Sequence, residues 1–151
     1  MHARVVEISA SIRDHFLADH DRLEALFERL LGAVEAGDRE EMARLWTDLE
    51  RGLFMHLRVE ESSMIPALQR VAPTDARVLL EEHRHIRTRL TELGVALDLH
   101  TIRLESVRAF VDELRAHAKS EDRLLYRWAE ERLDHADQDS ALRSLLRRQV
   151  A

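Results

Sequence analysis

Apolar side chains recur every three or four residues along most of the chain, the period of a single buried face on an α-helix. From about Ile8 to Ala36 that face is Ile12, Phe16, Leu23, Phe27 and Leu30. Gly37 is placed to end the segment and Asp38 to cap the next. The second segment turns Met42, Leu45, Leu49, Leu53 and Met64 inward and runs to about Val71, with Pro66 expected to kink or end the regular helix. "APTD" (Ala72 to Asp75) reads as a turn with Thr74 or Asp75 as the cap. A third helix is then expected over about Asp75 to Asp98, with Leu79, Ile86, Leu90, Leu93 and Leu97 inward. A fourth covers about Ile102 to Leu133, with Leu104, Val107, Val111, Leu114 and Trp128. "DHADQD" breaks the pattern. A short final helix near Ser140 to Gln149, carrying Leu142, Leu145 and Leu146, is expected as a packing or dimer element. Short connections make neighbouring helices antiparallel. The expectation is one all-α domain over residues 1–151: an up-down-up-down antiparallel four-helix bundle over about 8–133, with a short C-terminal fifth helix.

Composition narrows the partners. With 151 residues the chain is long enough to bury a proper core, and 4 Gly and 2 Pro suit long helices. A net charge of −6 argues against nucleic acid or an anionic membrane as a partner. No apolar run approaches a bilayer span, and the N-terminus lacks a signal-peptide core, so a cytoplasmic setting is expected. Zero Cys excludes disulfides, thiolate metal sites and cysteine catalysis. The nine histidines are the unusual number.

Several of them interrupt the apolar faces. His20 lies between Phe16 and Leu23; His56 and Glu60 lie on the second face, His83 on the third, and His117 and Glu121 on the fourth. At about 1.5 Å rise per residue, His20 and His56 stand at nearly equal depth across one hairpin, and His83 and His117 across the other. A lone buried carboxylate is costly and must be compensated. Two His–Glu pairs spaced i, i+4 can each grip one ion, so two such pairs and two further imidazoles can hold two divalent metals that share the carboxylates. The plainer reading is an ion pair between helices. Histidine with carboxylate suits Fe, Zn, Cu or Ni, so zinc or mixed metal is as open to this donor set as iron.

At these positions the sequence resembles the hemerythrin-like, or HHE cation-binding, family. The matching stretches are "DHDRLEALFERL", "HLRVEESSMIPAL", "EEHRHIRTRL" and "HAKSEDRLLY", in that order, over about His15 to Leu133. The resemblance implies a bundle enclosing a non-heme centre of two Fe ions, oxo- or hydroxo-bridged, held by His20, His56, Glu60, His83, His117 and Glu121. Two positions depart from the oxygen-carrying branch. Arg87 stands where that branch has a further histidine, and Glu121 competes with Asp122 for its carboxylate position. The pattern looks more like the branch linked to iron-centre repair, nitric oxide and stress, although the cysteine-bearing N-terminal region of many of those proteins is not in this sequence. The implied function is binding or reacting with oxygen, nitric oxide or peroxide in oxidative or nitrosative stress or iron homeostasis. The alternative is a non-catalytic iron-storing, iron-sensing or regulatory bundle. A monomer or homodimer is expected.

The neighbours have assigned roles too. Glu61 and Asp122 are expected to orient imidazoles, and Arg87 to pair with one of them. His85 belongs to an outer face, His15 lies off the stripe, and His2, His100 and His135 are expected in solvent. Tyr126 and Trp128 read as packing.

Overall fold

The computed structural model describes residues 11–150, so His2 and the expected start at Ile8 lie outside the described residues. The first helix, α1 (Ile12–Ala36), opens on a capping box: Ser11 accepts from the Asp14 amide and Asp14 accepts from the Ser11 amide. Gly37 closes it in the left-handed region (φ 67°), and its amide donates to the carbonyls of Ala33 and Val34. Asp38 caps α2 (Arg39–Ser63) by accepting from the Glu41 amide at 3.1 Å.

Pro66 ends the regular second helix, as its missing N–H requires. The chain breaks at Met64 and resumes as α3 (Ile65–Val71), with Pro66 in the first turn. The third long helix, α4 (Pro73–Asp98), starts two residues before the expected Asp75. Pro73 takes the first helical position, where a missing amide costs nothing, so neither Thr74 nor Asp75 is needed as cap. The fourth helix is built of α5 (Leu104–Glu121), a π-helical turn (Asp122–Tyr126) and α6 (Arg127–Arg132). "DHADQD" proves to be a helix start. Asp134 accepts from the Ala136 amide at 2.9 Å, and α7 (His135–Val150) follows. Gln138 donates to the carbonyls of Ala129 and Leu133, tying α7 to the end of α6.

The packing is that of an all-α up-down-up-down bundle. α1 lies along α2 and α5, α2 also meets α4, and α4 meets α5, which closes the ring. α7 lies against α2 and α1 through buried Ala141 and Leu145, so its packing role is realised within the chain. Two apolar clusters fill the bundle. One contains Phe27, Leu30, Leu49, Leu90 and Phe110; the other contains Phe16, Met64, Leu68, Leu79 and Leu125. The buried polar side chains lie between them. Among the described residues no helix is long and apolar enough to cross a membrane.

Two glycines of the α1 region test this backbone reading with opposite signs. Gly37→Ala is expected to lower stability by about 1 kcal/mol, because alanine resists the left-handed conformation. Gly32 is exposed within α1 and a methyl there meets nothing within 4 Å. Gly32→Ala should therefore raise stability by about 0.5–1 kcal/mol. Denaturant unfolding of both variants checks the pair, and shifts of the same sign would contradict it.

Candidate metal centre

All six residues singled out in the sequence come together in the polar layer. His20 comes from α1, His56 and Glu60 from α2, His83 from α4, and His117 and Glu121 from α5. Glu60, Glu121 and His83 have no solvent exposure, and His56 and His117 are buried. His20 is partly exposed. Two groups form, each able to offer donor atoms within 4.8 Å of one another: His20, His56, Glu60 and Glu121, and then Glu60, His83, His117 and Glu121. The carboxylates are common to both. Nε2 of His20 and Nε2 of His56 are 2.8 Å apart, and His20 Nε2 is 3.0 Å from Glu121 Oε1. In the second group His83 Nε2 is 3.3 Å from Glu60 Oε1 and 3.0 Å from Glu121 Oε2, while His117 Nε2 is 2.9 Å from Glu121 Oε1.

The other ring nitrogens are held from outside. His56 Nδ1 meets Asp19 at 2.6 Å, His83 Nδ1 meets Glu61 at 2.8 Å, and His117 Nδ1 meets Glu82 at 2.7 Å. A carboxylate on Nδ1 keeps the proton there and turns the Nε2 lone pair inward, the usual support of a metal-binding imidazole. Each of these carboxylates sits next in sequence to a member of the centre yet serves the histidine of the following helix: α1 serves α2, α2 serves α4, and α4 serves α5. Arg22 holds Asp19 at 2.7 Å, and Arg87 holds Glu61 with two bonds of 2.6 and 2.7 Å. Arg87 thus takes one of its two expected partners.

Asp122 does not orient an imidazole. It reaches α1, as the rotation of the pattern predicts, but Arg13 takes it there with bonds of 2.6 and 3.0 Å. Tyr126 is the larger miss. Its side chain is fully buried, and its hydroxyl donates to Glu60 and lies 2.7 Å from His20 Nε2, 3.1 Å from His56 Nε2 and 3.1 Å from Glu121 Oε1. The π turn adds a residue to the helical period, so the position five after Glu121 faces the centre. Trp128 falls at the partly buried edge of the second cluster. His85, His100 and His135 are exposed, and His15 is outside both groups.

The charges interlock. Burial opposes the charged form of His83, but the carboxylates of Glu121, Glu60 and Glu61 around its ring outweigh it and push its pKa up to about 11. Burial likewise opposes His117, which Glu121 and Glu82 raise to about 9. Glu61, bonded to His83 and Arg87 against its own partial burial, is held at about 2. Protons on His56, His83 and His117 therefore balance the carboxylates when no cation does. The balance is imperfect: Glu60 Oε1 and His117 Nε2 are buried without a well-directed hydrogen bond, although His83 Nε2 stands 3.3 Å from the first and Glu121 Oε1 2.9 Å from the second. The 2.8 Å approach of two imidazole nitrogens, with two buried donor atoms of the shared groups lacking a well-directed hydrogen bond, fits a metal centre better than an ion-pair network.

An apolar cavity of about 50 Å³ borders His20, His56, His117 and Glu121, walled by Leu23, Phe27, Leu57 and Val111. A water needs about 10–15 Å³ by this measure, so a diatomic molecule or peroxide has room. Arg115 stands at its rim, bridging α5 to Glu24 (2.5 Å) and Glu28 (2.8 Å) of α1.

Fold and site together define a helical bundle built around a buried His/carboxylate metal-binding cluster. The model of the hemerythrin HHE cation-binding domain matches residues 11–129 and, overlapping, 74–149. The chain belongs to that family. No curated relative and no solved structure matches it.

The pH dependence follows from the histidines. The folded pKa values of His83 and His117 lie above the ordinary 6.5, so the stability these two contribute is complete below pH 6.5 and is lost as pH rises through about 9 and about 11. Metal-free protein should melt at falling temperature across that window. Metal affinity should climb over the same window as protons cease to compete. Thermal unfolding of chelator-treated protein checks the first half, and a melting temperature that rises with pH would contradict it.

Proposed function

We propose that this chain holds two iron ions and uses them to bind or react with a small oxidant or gas: oxygen, nitric oxide or peroxide. The observation that carries the reading is the pair of four-donor groups sharing Glu60 and Glu121 beside an apolar cavity of diatomic size. His20 and His56 would hold one ion, His83 and His117 the other, and the two carboxylates would serve both. Bound iron supplies one-electron chemistry and open coordination positions. The chain supplies the rest: carboxylates on Nδ1 fix the imidazoles, apolar side chains exclude bulk water, and Arg115 stands at the cavity's rim. This reading carries a role in oxidative or nitrosative stress or iron homeostasis, a cytoplasmic setting, and a monomer or homodimer.

Anaerobic titration with ferrous ion should saturate at about two equivalents per chain. At a hundredfold excess over Kd the folded state should gain about 2.7 kcal/mol per site. Glu60→Ala should abolish tight loading while the helices persist in circular dichroism. Loaded protein should then change its visible spectrum quickly with oxygen, nitric oxide or peroxide. Inertness to all three would favour an iron-storing or iron-sensing bundle instead.

Arg87 gives a second test. It stands one turn after His83 and is committed to Glu61, so no fifth imidazole reaches the second group. An always-charged guanidinium does not ligate a divalent ion. Arg87→His is therefore expected to slow air oxidation of the ferrous protein, followed by stopped-flow absorbance. An unchanged rate in a variant that still loads iron would remove Arg87 from the account.

A further inference from the structure

We infer that Tyr126 is a metal ligand, the fifth protein donor of the His20/His56 position, and that the two metal positions are chemically unequal. The inference rests on the di-iron reading above and goes beyond it. Donor atoms bound about 2.1 Å from one ion, at right angles to each other, lie about 3 Å apart. The Tyr126 oxygen meets that spacing with His20 (2.7 Å), His56 (3.1 Å) and Glu121 (3.1 Å), and is closer still to Glu60. The other spacings in the group are 2.8 Å between His20 and His56, 3.0 Å between His20 and Glu121, 3.3 Å between His56 and Glu60, and a longer 3.8 Å between His56 and Glu121. A phenol that merely donated one hydrogen bond to Glu60 would not need to stand within 3.1 Å of two imidazole nitrogens as well.

The backbone departs from regular helix at this point. The π turn spans Asp122–Tyr126, immediately after Glu121, and delivers the phenol to the centre. A π turn within an α-helix is rare and often marks a functional site. The chain's single tyrosine serves the first group, and Arg87, one turn after His83, is bonded to Glu61. One position thus has five donors from the chain and the other four.

On ligation the phenol O–H bond breaks, its proton passes to solvent, and the oxygen takes up the metal in the proton's place. The anionic oxygen adds a third negative charge to those of Glu60 and Glu121, closer to the charge of two cations. The four-donor position, left with more open coordination, is where a small molecule would bind.

Tyr126 is the single tyrosine of the chain, which makes the test unambiguous. Full-length protein is loaded anaerobically with ferrous ion, its iron counted, and then oxidised with ferricyanide, which accepts the electrons. Wild type should show a visible phenolate-to-iron(III) charge-transfer band with resonance-enhanced phenolate vibrations. Tyr126→Phe should lose both and bind one of the two equivalents about tenfold or more weakly, the scale on which a metal site responds to loss of a supporting group. Iron bound at two equivalents in wild type without phenolate vibrations would overturn the ligand assignment and leave the di-iron reading standing. A folded wild type that binds no iron would overturn both.

Discussion

Two carboxylates without solvent exposure, Glu60 and Glu121, sit in the middle of a helical bundle, and the need to balance them governs everything around them. Burying an uncompensated carboxylate costs several kcal/mol, more than most single contacts contribute. Each long helix answers with an imidazole. Apolar clusters above and below keep bulk water from supplying the balance instead. The layer can be filled in two ways, by protons on the histidines or by cations among them, and the same donor atoms serve both. That exchange is why the raised histidine pKa values and the metal reading are two views of one arrangement.

Holding imidazoles in place before any ion arrives requires a second ring of charge. Asp19, Glu61 and Glu82 take the outward nitrogens, and arginines secure two of the three from the surface side. Charge therefore alternates outward from the centre: carboxylate, imidazole, carboxylate, guanidinium. Because each outer carboxylate comes from the helix preceding its histidine, the ring also fixes how neighbouring helices are rotated. The bundle's phase and the site's geometry are set by the same contacts.

Helical period made the inner six legible. His56 with Glu60 and His117 with Glu121 interrupt apolar faces at i, i+4, and hairpin depth puts His20 beside His56, with ring centres 4.5 Å apart, and His83 beside His117 at 5.0 Å. The outer ring was less visible. Glu61 could be guessed from its place beside Glu60, but Asp19 and Glu82 act on the next helix, and one sequence does not say how its helices are rotated against each other. Asp122 follows the same rule as the others and fails only because Arg13 intercepts it, a contact between residues 109 apart. Tyr126 was hidden by the π turn. Extending 3.6 periodicity past Glu121 selects Trp128 for the interior and leaves the tyrosine to packing; one inserted residue reverses that. The start of α7 was missed because capping by Asp134 looked like a break in the apolar pattern.

The ring of outer carboxylates is complete on three sides and changes character on the fourth. Between α5 and α1 the step that would bring Asp122 to His20 goes to Arg13, and His20 remains partly exposed while the other three imidazoles are buried. The apolar cavity borders this same seam, under the Arg115 bridge to Glu24 and Glu28. On the opposite side, Arg87 and Glu61 close the α2–α4 boundary with two short bonds. Exposed ion pairs such as those of Arg115 contribute at most about 1 kcal/mol, so they can part on the timescale of side-chain motion. A fully buried imidazole held by a carboxylate cannot swing aside so cheaply. In the proposed chemistry a small molecule would therefore arrive through the α1–α5 seam, past His20, and the rigid α2–α4 side would keep the shared carboxylates in place while it does.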